Sequence, residues 1–219
     1  MENSAIKFSQ RKIKKNYRSI TGHFPSIKNN TSIGFESKLE KAHFLSLEFD
    51  NEVISYQEQP QIEICINKIY SADCYIKRAK TSLKKDSIVE VKYTNEIEKR
   101  KEYFEKKFEA AKTSANKLNL DFEIYTEKIH SEIYLDNLDF LYRYKLQPIE
   151  NKYEDQILKI LNKNNKISAF DLANLISKNP IEYGLISNCI WDLVCKEKLK
   201  TNLELSTITM NSLVELSYE

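Results

Sequence analysis

Glu90 and Lys92 stand one residue apart in Ser87–Ile88–Val89–Glu90–Val91–Lys92–Tyr93, an otherwise apolar run of the kind that forms a short buried strand. Side chains alternate faces along a strand, so the acid and the base project to one side while Val89, Val91 and Tyr93 line the other. Burying two charges on one face is costly unless each has a partner or a metal to answer it. Asp73, in Tyr70–Ser71–Ala72–Asp73–Cys74–Tyr75–Ile76, brings a second acid to the point where another strand begins. Carboxylates that hold a hard divalent cation can neutralise the charge that builds on a phosphodiester during hydrolysis, and can acidify a bound water. A lysine beside them can orient that water, help to deprotonate it, or contact the phosphate. The bland alternative is a Glu-x-Lys pair on the wet face of an edge strand, an ordinary cross-charge pattern in a chain so rich in Lys, Glu and Asp.

An aspartate followed by a strand carrying Glu-x-Lys is the arrangement of the PD-(D/E)xK metal-dependent nucleases, and the surrounding chain is compatible with one. Its 219 residues suffice for one medium domain and a small one, and with 41% hydrophobic and 11% aromatic residues it can fill a core. Only three glycines occur, which argues against a Rossmann or P-loop phosphate cradle. The formal net charge of +2 hides an asymmetry: within residues 1–30, Lys7, Arg11, Lys12, Lys14, Lys15, Arg18 and Lys28 face Glu2 alone. Such an arm reads either as a phosphate-seeking segment, with Arg11, Lys12, Lys14, Lys15, Arg18 and Lys28 as candidate DNA contacts, or as a solubilising tail. Cys65, Cys74, Cys189 and Cys195 form no C-x-x-C and stand apart from His23, His43 and His130, so no zinc site is legible. Reduced thiols in the core of a cytoplasmic protein are expected. No apolar run has membrane-spanning length, and no membrane association is expected.

Along the chain, a turn-like stretch at Thr21–Ser26 and the segment Ser32–Phe35 lead into a helix from about Glu36 to Glu48, with Leu39, Ala42, His43, Leu45 and Leu47 as its buried stripe. Glu36 and Glu40 lie one turn apart on its flank, either solvating the helix or sending one carboxylate to Asp73 and Glu90. Strands are expected at 61–66, around Asp73, at 88–93 and at 120–125. A long charged helix should span 97–118, with Tyr103, Phe104, Phe108 and Ala111 inward, and another 132–144. The order strand, helix, strand implies an α/β fold with a mixed sheet flanked by helices. Past Gln147–Pro148 come a short helix at 154–162, a second capped by Ser168, a third at about 182–196, then two short strands at 199–202 and 206–210. Three helices and a hairpin is the order of a small winged helix, so the expected organisation is a basic arm (1–20), a nuclease domain (21–147) and a winged-helix domain (148–219). The third helix carries Lys196 and Lys198 near Glu182, Asp192 and Glu197, which favours protein docking at least as much as DNA reading.

Phe24–Pro25–Ser26–Ile27–Lys28, Phe35–Glu36–Ser37–Lys38–Leu39–Glu40, Leu47–Glu48–Phe49–Asp50, Tyr56–Gln57–Glu58–Gln59–Pro60, Ala72–Asp73 and Glu90–Val91–Lys92 resemble, in order and spacing, the TnsA family. Its members are endonuclease subunits of heteromeric cut-and-paste DNA transposases, with a restriction-endonuclease-like fold. The resemblance covers residues from about 20 to 130. It implies Glu40 as the helix acid, with Glu36 as the fallback, Asp73 as the metal-binding aspartate and Lys92 as the lysine. Glu90 would add its carboxylate and Val91 its carbonyl to the Mg²⁺ sphere, with Mn²⁺ as a plausible substitute. One departure is Ala72, where proline often precedes the aspartate. The resemblance further implies cleavage at the 5′ ends of a transposon, with DNA, an RNase-H-like transposase that acts on the 3′ ends, and an AAA+ ATPase regulator as partners. A stand-alone restriction or repair nuclease of this fold, or a noncatalytic module linking DNA to an ATPase, are the competing expectations.

Overall fold

Alternating apolar residues build a first compact unit, residues 1–130, and amphipathic helices a second, residues 131–219. The computed structural model describes residues 6–8, 20–65 and 67–217. In the first unit β1 (Lys7–Phe8) precedes a hairpin, β2 (Gly22–Ser26) and β3 (Thr31–Phe35), which buries Phe24, Ile33 and Phe35. The stretch expected to be a turn is thus a paired strand. Helix α1 (Lys38–Phe49) starts where the Ser37 hydroxyl oxygen accepts the Glu40 N–H at 3.0 Å, and buries Leu39, His43, Phe44, Leu45, Leu47 and Glu48. Glu48 is tolerated inside because Ser26 and Tyr56 hydroxyls donate to its Oε1 at 2.6 and 2.7 Å.

Strands β4 (Val53–Glu58), β5 (Pro60–Cys65), β6 (Lys68–Ser71), β7 (Cys74–Arg78) and β8 (Ser87–Val91) follow. The segment expected as one strand through Asp73 is two, in different sheets. β1, β5 and β6 make an antiparallel sheet, and β4, β7, β8 and β9 (Asp121–Tyr125) make a mixed one in which only β8 and β9 run parallel. Between β8 and β9 the expected single long helix is broken: α2 (Thr94–Lys99) and α3 (Lys101–Lys117) meet at Arg100, whose ψ of 39° departs from helical geometry. The inner stripe of α3 is Phe104, Phe108, Ala111, Ser114 and Ala115, whereas Tyr103 is exposed. Ala111 and Ala115 close against Ile62, Tyr70, Ala72 and Ile88, so the core of this unit lies between α3 and the two sheets. These contacts fix β8 within it, each large apolar side chain contributing about 1.5–3 kcal/mol.

The second unit contains α4 (Glu132–Leu146), α5 (Glu154–Asn164), β10 (Lys166–Ser168), α6 (Ala169–Ile176), α7 (Pro180–Cys195), β11 (Leu199–Lys200) and β12 (Leu213–Leu216). α4 packs on α7, which places the division between units before α4 rather than at residue 147. The three strands pair antiparallel in the order β10-β12-β11. Residues 206–210, expected as a strand, are not one; Asn137 ties that segment down by accepting the Ile208 N–H at 2.8 Å and donating to the Leu203 and Ser206 carbonyls at 2.8 and 2.9 Å. Cys74, Cys189 and Cys195 are buried free thiols as expected, but Cys65 is exposed. Among the described residues no helix is long and apolar enough to cross a membrane.

Candidate active site

Strand β8 lies between β7 and β9, so it has no open edge, and Ser87 through Val91 are all buried. The Glu90 side chain is consequently only 3% exposed, whereas Lys92, just past the strand's end, is 27% exposed. Asp73 arrives from the neighbouring chain crossing. Gln59 takes a positive φ of 52° and separates β4 from β5, while Ala72 and Asp73 separate β6 from β7. The two breaks face each other: the Ala72 N–H donates to the Pro60 carbonyl at 3.0 Å, and the Gln59 N–H donates to the Asp73 carbonyl at 3.1 Å. The Gln57–Pro60 stretch is thereby the scaffold for Asp73. From there the Asp73 N–H donates to the Val89 carbonyl at 3.1 Å, and its Oδ2 accepts the Val91 N–H at 2.7 Å.

Three oxygens meet the Lys92 ammonium. Nζ lies 3.1 Å from the Val91 carbonyl, 3.4 Å from Asp73 Oδ2 and 3.6 Å from Glu90 Oε1. Glu90 is held from two further directions: Tyr70 donates its phenol to Oε2 at 2.6 Å, and Lys107 of α3 reaches Oε1 at 3.2 Å with its ammonium 4.7 Å from the Tyr70 ring centre. Burial, reinforced by the Glu90 charge, raises the Asp73 carboxyl above the usual range, although Lys92 and the Val91 N–H pull the other way. For Lys92 burial favours loss of the proton, but Asp73 and Glu90 outweigh it and hold the ammonium above its ordinary value. Burial and then the Glu90 charge push Tyr70 far up, so it stays a neutral donor.

The helix acid is placed differently. Glu40 accepts the Glu36 N–H on Oε2 at 2.9 Å and the Ser37 hydroxyl on Oε1 at 3.1 Å, closing a reciprocal cap with the Ser37 oxygen that receives its own N–H. Burial raises its carboxyl, the Glu36 bond opposes this, and repulsion from Asp73 adds to the rise, so the two carboxylates feel one another. Among the described residues no three His, Cys, Asp or Glu side chains form a group that could hold a metal ion. Asp73, Glu90, the Val91 carbonyl and Lys92 are gathered; Glu40 is engaged in the α1 cap, with its charge felt by Asp73 and Lys92. Of the basic residues, Lys28 donates its ammonium to the Asp50 carbonyl and, at 2.7 Å, to the Val53 carbonyl. Arg11, Lys12, Lys14, Lys15 and Arg18 lie outside the described residues. Sequence reasoning missed Tyr70 and Lys107, and only the burial of a charged Glu90 could have signalled that such partners exist.

Two carboxylates and one carbonyl do not make a group of three metal-binding side chains, yet their oxygens are of the kind a hard divalent cation takes. The Lys92 ammonium already draws together three oxygens of the type such ions prefer, and Asp73 Oδ1 has no hydrogen-bond donor among the described residues. Compared with known protein families, residues 50–127, which carry Asp73, Glu90 and Lys92, match the one described as TnsA-like endonuclease N terminal. No curated protein matches the chain.

Proposed function

We infer, from the match of residues 50–127 to the TnsA-like endonuclease N-terminal family, that the protein is the metal-dependent endonuclease subunit of a heteromeric DNA transposase and cuts the 5′ ends of the element. The observation that carries this is the convergence of Asp73, Glu90 and the Val91 carbonyl on a single cationic centre at the end of a buried strand. Asp73, Glu90 and Val91 would hold Mg²⁺, or Mn²⁺ in its place, with Glu40 as the remaining acid, and the ion would supply charge neutralisation at the phosphodiester and a more acidic water. Every other part of the chemistry falls to the chain itself. Lys92 keeps its proton because two carboxylates face it, so it acts as a donor: it orients the attacking water or holds a phosphate oxygen, and proton removal falls to another group. Tyr70 keeps Glu90 in place through a neutral hydroxyl. The Asp73 backbone, bonded to both Gln59 and Val89, keeps the carboxylate from swinging away.

The remaining regions supply contacts rather than chemistry. The order α5, β10, α6, α7, β11, β12 supports a winged-helix reading of residues 148–219. α7 begins with Glu182 in its first turn, has no basic residue in its last, and exposes Ile181 and Leu185, a character better suited to a protein such as an AAA+ regulator than to DNA. The basic arm provides nonspecific backbone affinity, so choice of ends comes from the RNase-H-like partner. In reconstituted excision, Asp73→Ala and Lys92→Ala abolish 5′-strand cleavage while both variants stay folded and bind their partners. Full cleavage by Asp73→Ala removes the proposal.

A further inference from the structure

The site contains a second ammonium for which the proposed chemistry has no use. Lys107 sits on α3 with Nζ 3.2 Å from Glu90 Oε1, the same oxygen that Lys92 approaches at 3.6 Å. Lys92 follows β8 and Lys107 belongs to α3, and their side chains are 27% and 28% exposed, so both ammoniums reach water beside one carboxylate oxygen. The Tyr70 ring beneath Nζ, 4.7 Å away, limits where the ammonium can go. An ammonium has three donors. Glu90 takes one, and among the described residues no other acceptor takes the remaining two. Glu40, Asp73 and Glu90 outnumber the two ammoniums, so loss of either leaves more negative charge facing an anionic ligand.

We propose that Lys107 is a phosphate-contacting residue: Glu90 and the Tyr70 ring hold its ammonium so that its unspent donors can donate to a nonbridging oxygen of the nucleic-acid backbone beside the reacting centre. The ligand class is a phosphodiester, and the recognition is of charge rather than of base. This rests on the nuclease proposal for the site but makes a separate claim about binding. Lys107 differs from an ordinary surface lysine in being anchored before the ligand arrives, which lowers the entropy lost on contact.

The test uses the full chain and a short DNA duplex in chelator, with affinity read by fluorescence anisotropy over a range of KCl. Lys107→Met lowers the slope of log affinity against log salt by about 0.9, the value for one lost phosphate contact on duplex DNA. Lys107→Arg restores it. Lys112→Met, which neutralises an exposed lysine five residues along the same helix, leaves 5′ cleavage in reconstituted excision unchanged. There Lys107→Met slows single-turnover cleavage about ten- to a hundredfold, less than or equal to loss of one preorganised donor. Should Lys107→Met fold poorly, Lys107→Gln retains a donor for Glu90 and removes the charge, and gives the same change in slope. A lowered unfolding midpoint with native slope and native rate would mean that Lys107 only neutralises Glu90, and would overturn the inference. Cleavage that is lost with Asp73→Ala but unaffected by Lys107→Met sinks this inference alone; cleavage indifferent to Asp73 sinks the nuclease proposal while the salt slope still decides the contact.

Discussion

Replacing Tyr70 by Phe removes one oxygen from the interior of the first unit and nothing else. That oxygen donates to Glu90 Oε2 at 2.6 Å, and both residues are only 2% exposed, so water has little access to the acceptor left behind. A hydrogen bond to a charged group is worth about 1.5–3 kcal/mol, and an unsatisfied buried acceptor carries the full desolvation penalty. Taking about 2 kcal/mol, local opening around β8 becomes roughly thirtyfold more frequent, since each 1.4 kcal/mol is a factor of ten. The assay is native-state amide exchange at Val89 and Val91, because the only tryptophan, Trp191, belongs to the second unit and would report on the wrong residues. In a Glu90→Gln background the acceptor is neutral, and the same Tyr70→Phe change should cost only about 1 kcal/mol. Native exchange rates in Tyr70→Phe would refute the reasoning, as would an equal loss in both backgrounds, which would make the effect one of packing rather than of an answered charge.

Other perturbations separate the terms that hold the site. Burial, aided by the charges of His130 and Arg78, pushes the His43 imidazole down to about 3, so the folded chain resists a proton that the unfolded chain takes up near pH 6.5. Stability should therefore fall as pH drops below about 6.5 toward 3, by at most about 1.4 kcal/mol per pH unit, and denaturant titrations of His43→Leu should show a shallower fall. Asp73 has the opposite sign: its raised folded value means stability present at low pH is lost as pH rises through it. Asp73→Asn should then raise the neutral-pH urea midpoint and lose that advantage below about pH 4, near the ordinary aspartate value. Asn137→Ala removes three hydrogen bonds to residues 203–208 and should cost about 2–4 kcal/mol, seen as faster amide exchange at Ile208.

The strand that carries Glu90, with Lys92 just past its end, was legible because Ile88, Val89 and Val91 are β-branched and leave few alternatives, and the two charges among them demand an explanation. Asp73 was legible as an acid at a strand's start, but not as the crossing between two sheets. That crossing depends on Gln59 adopting positive φ, which no local residue preference announces. The stripe of α1 was correct for Leu39, His43, Leu45 and Leu47, since helical spacing depends on sequence alone; Glu48 was hidden because its burial needs hydroxyls from Ser26 and Tyr56, distant in the chain. Glu40 was singled out for chemistry without its capping role, although Ser37 three residues before it is a local signal for a cap. The break at Arg100 and the exposure of Tyr103 escaped a periodicity reading, which continues through a residue whose backbone does not. The last strand was misplaced because Thr207–Met210 has strand-like residues, yet Asn137 claims the Ile208 N–H that a ladder would need. Lys107 and Tyr70 could not be picked out, being one lysine in a lysine-rich helix and one of 13 tyrosines, joined to Glu90 only by tertiary packing.

A calorimetric titration of Mn²⁺ into the full native chain and into Asp73→Ala decides whether the oxygens around Lys92 constitute a cation site. Saturable heat from the native chain that disappears in the folded Asp73→Ala chain is the expected result. Equal binding by both, or saturable binding by neither with DNA present, would contradict the account.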